Sequence, residues 1–182
     1  MSAADLLRDV VRALDGAAIP HMLVGSFASS SYGALRATQD IDIVIDPTAE
    51  AVELFITAFD EDRFYVNPDA ARVALADRDQ FNLIDVTTGW KVDLMIRKER
   101  PFSRSEFGRR TRIRMLDVDV WVATAEDTVL AKLEWAAMGG SDRQVVDAAT
   151  VLSVGGADLD QDYLDHWAAE LGISNLLAKA RG

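Results

Sequence analysis

Asp40-Ile-Asp42 places two carboxylates one residue apart at the head of the run Ile41, Ile43, Val44, Ile45. That run is short, rich in β-branched residues and stopped by Asp46-Pro47, which predicts a buried strand. Alternation then sets Asp40 and Asp42 on one face, roughly 6 to 7 Å apart at the backbone, close enough for both to reach one hard cation. Two anions held so close repel, and each tends to protonate unless a cation stands between them. Asp46 shares their face, but Asp-Pro at a strand end marks a turn, and Asp46 is read as structural.

A third acid comes from Trp90-Lys-Val-Asp-Leu-Met-Ile96, which alternates Val92, Leu94 and Ile96 against Lys91, Asp93 and Met95. With Gln80 to Val86 and the turn Thr87-Thr-Gly89 before it, the segment predicts a β-hairpin. Laid beside the Asp40 strand, it would let Asp93 join the other two carboxylates. Three acids on adjacent strands make an oxygen-ligand site for two Mg2+ ions of the kind phosphoryl-transfer chemistry uses. Upstream, His21-Met-Leu-Val24 predicts another strand, ended by Gly25-Ser26 before a helix over Phe27 to Leu35. A helix start carries unpaired N–H groups that favour phosphate oxygens. Gly25 permits close backbone approach there, and Ser26 adds a hydroxyl. Arg36 and Thr38 precede the acid-bearing strand, where they either reach a phosphate or fix the loop.

Gly25-Ser26, then Asp40-Ile-Asp42, then Asp93 resembles the DNA polymerase β-like nucleotidyltransferase superfamily, whose pattern is a Gly-Ser or Gly-Gly turn, Asp-x-Asp and a later Asp. The form Tyr32-Gly33, Arg36, Thr38, Asp40-Ile-Asp42 is most similar to small bacterial AbiEii-type and minimal nucleotidyltransferases, many of them toxin or antitoxin components. Ala125-Glu-Asp-Thr-Val-Leu-Ala-Lys132 followed by Asp142-Arg-Gln-Val-Val-Asp147 resembles the helical extension that completes the site in such proteins. The resemblance spans residues 20–150.

It implies that Asp40, Asp42 and Asp93 hold two Mg2+ ions, that Gly25 and Ser26 hold the terminal phosphates of an NTP, ATP by default, and that Asp93 helps deprotonate an acceptor hydroxyl. Lys132 would contact phosphate or acceptor. Its periodicity alone places it beside the core face of Val129, Leu133 and Ala136, at a flank where exposed lysines are common. The implied acceptors are an RNA 3′ end, a protein Tyr or Ser hydroxyl, or a small hydroxylated molecule. A cognate toxin or antitoxin is the implied protein partner. The alternative is a non-catalytic module with this fold that acts by binding a partner.

Other polar residues have plainer readings. Asp127 completes an N-terminal cap with Thr124, Arg143 and Asp147 form a helix-surface pair, and Tyr32, His21 and His166 pack or face solvent. The chain has 182 residues, 49% of them hydrophobic, and no cysteine, so neither a disulfide framework nor a thiolate metal site is expected. A net charge of -11 argues against a surface that embraces nucleic acid throughout. Against that average, Lys98, Arg100, Arg104, Arg109, Arg110 and Arg112 cluster between Arg97 and Arg114, opposed by Glu99 and Glu106. The run is either a solvated face or a contact for a triphosphate or RNA. The first residues alternate charge with apolar side chains at helical spacing, so a helix ending near Gly16 is expected rather than a leader or membrane span, and a cytoplasmic location with it.

The elements that must position these groups form an α+β fold: a small mixed β-sheet packed by helices, with an α-helical C-terminal subdomain. Helices are predicted over 48–60 and 68–77, a hairpin around Asp117 over 112–123, and four helices over 125–138, 142–152, 161–171 and 174–180. The expected division is a catalytic core over 1–123 and a helical subdomain over 124–182.

Overall fold

The computed structural model describes residues 2–34 and 38–182. The chain divides into two compact units, one of 1–24 with 37–122 and one of 25–36 with 123–182. The predicted α+β class is the one observed.

In the first unit, the described residues form one seven-stranded sheet: β1 (His21–Leu23), β2 (Asp40–Ile45), β3 (Phe64–Val66), β4 (Gln80–Asp85), β5 (Lys91–Ile96), β6 (Thr111–Met115) and β7 (Val118–Val122). Its order is β3-β4-β5-β2-β1-β7-β6. β2 runs parallel to β5, and β1 parallel to β7, while the other pairs are antiparallel. Pairing β2 with β5 is the step that matters, since Ile41, Ile43 and Ile45 are buried and stand opposite Val92, Leu94 and Ile96, which are also buried. A one-residue slip would turn that apolar set to the polar face, so burial fixes the register.

Among the described residues of this unit, four helices accompany the sheet, α1 (Ala3–Gly16), α3 (Ala49–Thr57), α4 (Pro68–Asp77) and α5 (Pro101–Arg109), while α2 (Gly25–Ser31) belongs to the second unit. Helix α1 starts with a capping box in which the Ser2 side chain accepts from the Asp5 N–H and the Asp5 carboxylate accepts from the Ser2 N–H. It buries Leu6, Leu7, Val10, Val11 and Leu14, the face expected from its spacing. Helix α3 buries Val52 and Phe55, and the Phe55 ring meets Phe59 and Phe81 edge-on. Helix α4 spans the predicted residues and is capped by Asn67, whose side chain accepts from the Asp69 and Ala70 N–H groups. Two elements go beyond the sequence reading. Strand β3 has three residues, and α5 lies inside the basic run, starting on Pro101 and burying Phe102, Ser103, Glu106 and Phe107.

In the second unit lie α2 (Gly25–Ser31), α6 (Ala125–Gly139), α7 (Asp142–Gly155), α8 (Gln161–Glu170) and α9 (Ser174–Arg181). The predicted helix over 27–35 is shifted and shortened, with Leu35 outside the described residues. Ser29, Ser30 and Ser31 donate their hydroxyls to the carbonyls of Ser26, Phe27 and Ala28, a local bonding that competes with helix propagation. Gly33 follows with a φ of +94°, and a Cβ there would stand 2.8 Å from Val154 Cγ2 on α7.

The β4–β5 hairpin is held by a buried acid. Asp85 Oδ1 accepts from the Thr87 N–H at 2.9 Å and from the Thr87 hydroxyl at 2.6 Å, and Oδ2 pairs with Arg63 Nη2 at 3.5 Å. Burial pushes the Asp85 carboxyl up, but the hydrogen bonds from Thr87 and Thr88 and the Arg63 charge outweigh it and hold the group below its ordinary range. A depressed folded-state value stabilises the fold fully above the unfolded value of about 3.9, and that contribution is lost as pH falls through the folded value. Asp85→Asn is therefore expected to lower the urea midpoint at pH 7, and the gap from wild type is expected to narrow below about pH 4. A gap that stays constant with pH would show that the carboxylate charge plays no part.

Candidate active site

The parallel register of β2 and β5 places Asp42 directly opposite Asp93 and Asp40 opposite Lys91. All four project on the face away from the buried isoleucines. In β2 burial alternates from exposed Asp40 through buried Ile41 to partly exposed Asp42. The prediction that the Asp93 strand lies beside the Asp40 strand thus holds at the level of backbone pairing.

The side chains add a cation that the sequence reading did not use. Lys91 Nζ lies 2.9 Å from Asp93 Oδ2 and 3.7 Å from Asp40 Oδ1, so one ammonium serves two of the three acids. The hydrogen bond to Asp93 and the charges of Asp93 and Asp40 outweigh partial burial and raise the Lys91 pKa above its ordinary value. Asp93 is gripped from its other side by Asn82, its register partner on β4, whose amide donates to Asp93 Oδ1. The alternation of β4 and β5 placed Asn82 and Lys91 on polar faces. Their convergence on Asp93 depends on strand register, which alternation does not encode.

Among the described residues, no group of three or more His, Cys, Asp or Glu side chains is arranged to hold a metal ion. Asp40, Asp42 and Asp93 share one face of the sheet, with Lys91 between two of them. Carboxylates brought this near require a counter-cation, and here the ammonium of Lys91 supplies it. The donor set itself suits a hard divalent ion, being all carboxylate oxygen on two adjacent strands.

The remaining candidates fall into three groups. Thr38 bonds the backbone at the strand entrance: Asp40 N–H donates to Thr38 Oγ1 at 3.2 Å, and that hydroxyl donates to Asp40 O at 3.3 Å. Of its two readings, these contacts match fixing the loop. Arg36 lies outside the described residues. Gly25 has a φ of +61°, which favours glycine, and Ser26 is buried. Both are the first residues of α2 rather than a turn before it, and that helix has seven residues.

Lys132 departs from its expected exposed flank. It is only 4% exposed, and its Nζ donates to Asp147 Oδ2 at 2.8 Å and to Gln144 Oε1 at 3.1 Å, both on α7. Asp147, read from helix spacing as a surface partner of Arg143, thus accepts from the buried Lys132. Asp127 caps α6 as expected, with Thr124 Oγ1 donating to its Oδ2 at 2.7 Å. It is also fully buried and accepts from the Tyr163 hydroxyl at 2.6 Å. Tyr32 donates to Ala123 O at 2.7 Å, and His21 Nδ1 lies 3.0 Å from Ile19 O, which are packing roles.

Much of the basic run is spent on internal contacts. Arg97 pairs with Asp46 at 3.0 Å and with Glu99 at 3.2 Å, Arg104 lies 3.7 Å from Glu99, and Arg114 pairs with Asp119 at 3.5 Å. Arg110 stacks over Phe107 and Trp121 and donates to Phe107 O. The pairing of Asp46 with Arg97 accords with its reading as structural.

No family model matches the chain, and no curated protein matches it. Solved structures do. The chain is similar to ANT(2'')-Ia in complex with adenylyl-2''-tobramycin, with a TM-score of 0.63 and 11% identity over 94% of this chain and 97% of that one. It is similar to an antigenic nucleotidyltransferase-like protein from Paracoccidioides brasiliensis, with a TM-score of 0.57 and 17% identity over 97% and 91%. It is also similar to the lincosamide antibiotic adenylyltransferase LnuA, lincomycin-bound, with a TM-score of 0.56 and 10% identity over 85% and 98%. The chain thus has the nucleotidyltransferase fold, as the motif resemblance implied.

The Lys132–Asp147 pair yields a stability test. Removing one partner of a buried pair strands the other, at a cost of about 3 to 5 kcal/mol. Lys132→Met is expected to lose about that much in chemical denaturation, and Lys132→Met with Asp147→Leu to regain most of it. Additive losses in the double variant would show that the two side chains are not coupled.

Proposed function

We propose that this protein is a metal-dependent nucleotidyltransferase that moves a nucleoside monophosphate from an NTP to an acceptor hydroxyl. The observation that carries the reading is the register match of Asp42 with Asp93 on the polar face of a sheet that also presents Asp40. The fold shared with two adenylyltransferase-type structures supports it and favours ATP as the donor.

Asp40, Asp42 and Asp93 would hold Mg2+, two ions by analogy with the resembled superfamily. Bound there, the metal would offset charge on the entering and leaving oxygens. Asp93, steadied by Asn82, accepts the proton of the acceptor hydroxyl. The acceptor oxygen forms a bond to the α-phosphorus as the bond from that phosphorus to the bridging oxygen breaks, and pyrophosphate leaves with the electron pair. Gly25 and Ser26 are assigned to the terminal phosphates, Arg36 to a phosphate and Lys132 to a phosphate or acceptor contact, all on the motif resemblance.

A small hydroxylated molecule is the acceptor class that the neighbours support, since one was solved with adenylyl-2''-tobramycin and another with lincomycin. An RNA 3′ end, a protein side chain and a role in a toxin-antitoxin pair rest on the AbiEii-like motif form.

The test is transfer of label from α-labelled nucleoside triphosphates, with magnesium, into the RNA, protein and small-molecule fractions of a cell extract. Wild type is expected to label one fraction. Asp42→Asn is expected to keep the fold and lose about a hundred- to a thousandfold in rate, as removal of a charge-stabilising group from a transition state does. Equal labelling by the two proteins would sink the assignment. Absent transfer together with absent nucleotide binding would favour the non-catalytic binding module.

A further inference from the structure

We propose that Lys91 is a positioning residue that stands in for a divalent cation, and that its ammonium must leave Asp93 and Asp40 before a metal ion binds them. The inference rests on the reading of Asp40, Asp42 and Asp93 as metal ligands, and deepens it.

Three observations converge on Lys91. Its Nζ lies 2.9 Å from Asp93 Oδ2 and 3.7 Å from Asp40 Oδ1, so the one charge touches a carboxylate on each of two adjacent strands. The register puts the Lys91 side chain within reach of both acids. Lys91 is the backbone partner of Asp40 and stands two residues before Asp93 on the same face of β5. The third observation is an asymmetry in how Asp93 is held. Oδ1 accepts from Asn82, whose strand is fixed by pairing, whereas Oδ2 faces a flexible four-carbon side chain. The amide can stay while the ammonium leaves.

The exchange is chemically reasonable because the side chain has somewhere to go. The Lys91 side chain is 35% exposed and the Asp93 side chain 14% exposed, so the ammonium sits at the solvent boundary over a more buried acid. A lysine is a compact point charge with free rotation about its stem, and it can swing into water with little strain. Without a metal, the ammonium offsets the charges of Asp93 and Asp40 and bridges the two strands. With one, it becomes a like charge beside a divalent ion, and expulsion relieves the repulsion. Lys91 thereby sets the threshold of metal concentration at which the site loads, and once displaced its charge is free to face an anionic substrate group.

The test is manganese binding without nucleotide or turnover, read by electron paramagnetic resonance of free Mn2+ and by the metal-induced shift in melting temperature. The proteins are wild type, Lys91→Met, Lys91→Arg and Asp93→Asn. Lys91→Met keeps the length of the stem and removes the charge. It is expected to bind Mn2+ about tenfold more tightly than wild type and to show a larger melting-temperature shift, because the competing cation is gone. Its melting temperature without metal is expected to fall below that of wild type. Lys91→Arg is expected to bind no more tightly than wild type, and Asp93→Asn to lose binding.

Equal affinity of wild type and Lys91→Met, or weaker binding by Lys91→Met, would overturn the proposal for Lys91 while leaving the metal site standing. Binding that is absent in every folded protein, including with a non-hydrolysable triphosphate added, would instead overturn the metal reading itself. Circular dichroism establishes folding. If Lys91→Met fails to fold, Lys91→Gln takes its place with the same expected tightening.

Discussion

Mutual repulsion among carboxylates on one sheet face is the constraint around which the first unit is built. Burial of Ile41, Ile43 and Ile45 against the apolar face of the sheet forces Asp40 and Asp42 outward, and the same alternation in β5 forces out Asp93. The two demands meet because the strands run parallel in a register that sets Asp42 against Asp93. Hydrophobic packing, the larger free energy, thus holds charges where electrostatics alone would not gather them. Lys91 and Asn82 make the arrangement tolerable by giving Asp93 a cation on one oxygen and a donor on the other.

The helical unit solves a different polar problem. Asp127 and Lys132 occupy α6 five residues apart, and both are buried. Each is satisfied from another helix, Asp127 by Tyr163 of α8 and Lys132 by Asp147 and Gln144 of α7. Buried polar groups of this kind cost stability unless every partner is present, so they tie the positions of three helices to one another. Val129, Leu130 and Leu133, fully buried on the same helix, supply the apolar contribution that the polar contacts then orient.

How much of this could be read from sequence depended on the range of the signal. The hairpin around Asp117, helix α4 and the alternation in β2 and β5 are local patterns, and the structure reproduces them. Strand β3 was missed because three residues carry too little alternation to register, with Phe64 its one buried side chain. Helix α5 was hidden by composition. Its arginines read as a charge run, while the marks of a helix, Pro101 at the first position and Phe102 with Phe107 inside, were few. Lys132 was misplaced because its partners lie 12 and 15 residues away on another helix. Spacing within one helix identifies a flank, and only the packing of α6 against α7 shows that this flank is covered. Similarly, Asp93 was legible as an acid on a polar face, whereas Asn82 and Lys91 gained meaning only from cross-strand register.

Whether Asp40, Asp42 and Asp93 form a cation site for nucleotide chemistry can be decided with crystals grown with Mn2+ and a non-hydrolysable ATP analogue. An anomalous scattering peak is expected, bounded by oxygens of Asp42 and Asp93, with the triphosphate beside it and the Lys91 ammonium withdrawn from Asp93. Bound nucleotide with its manganese remote from all three acids would rule out the cation site, and a Lys91–Asp93 contact unchanged beneath the metal would rule out its displacement.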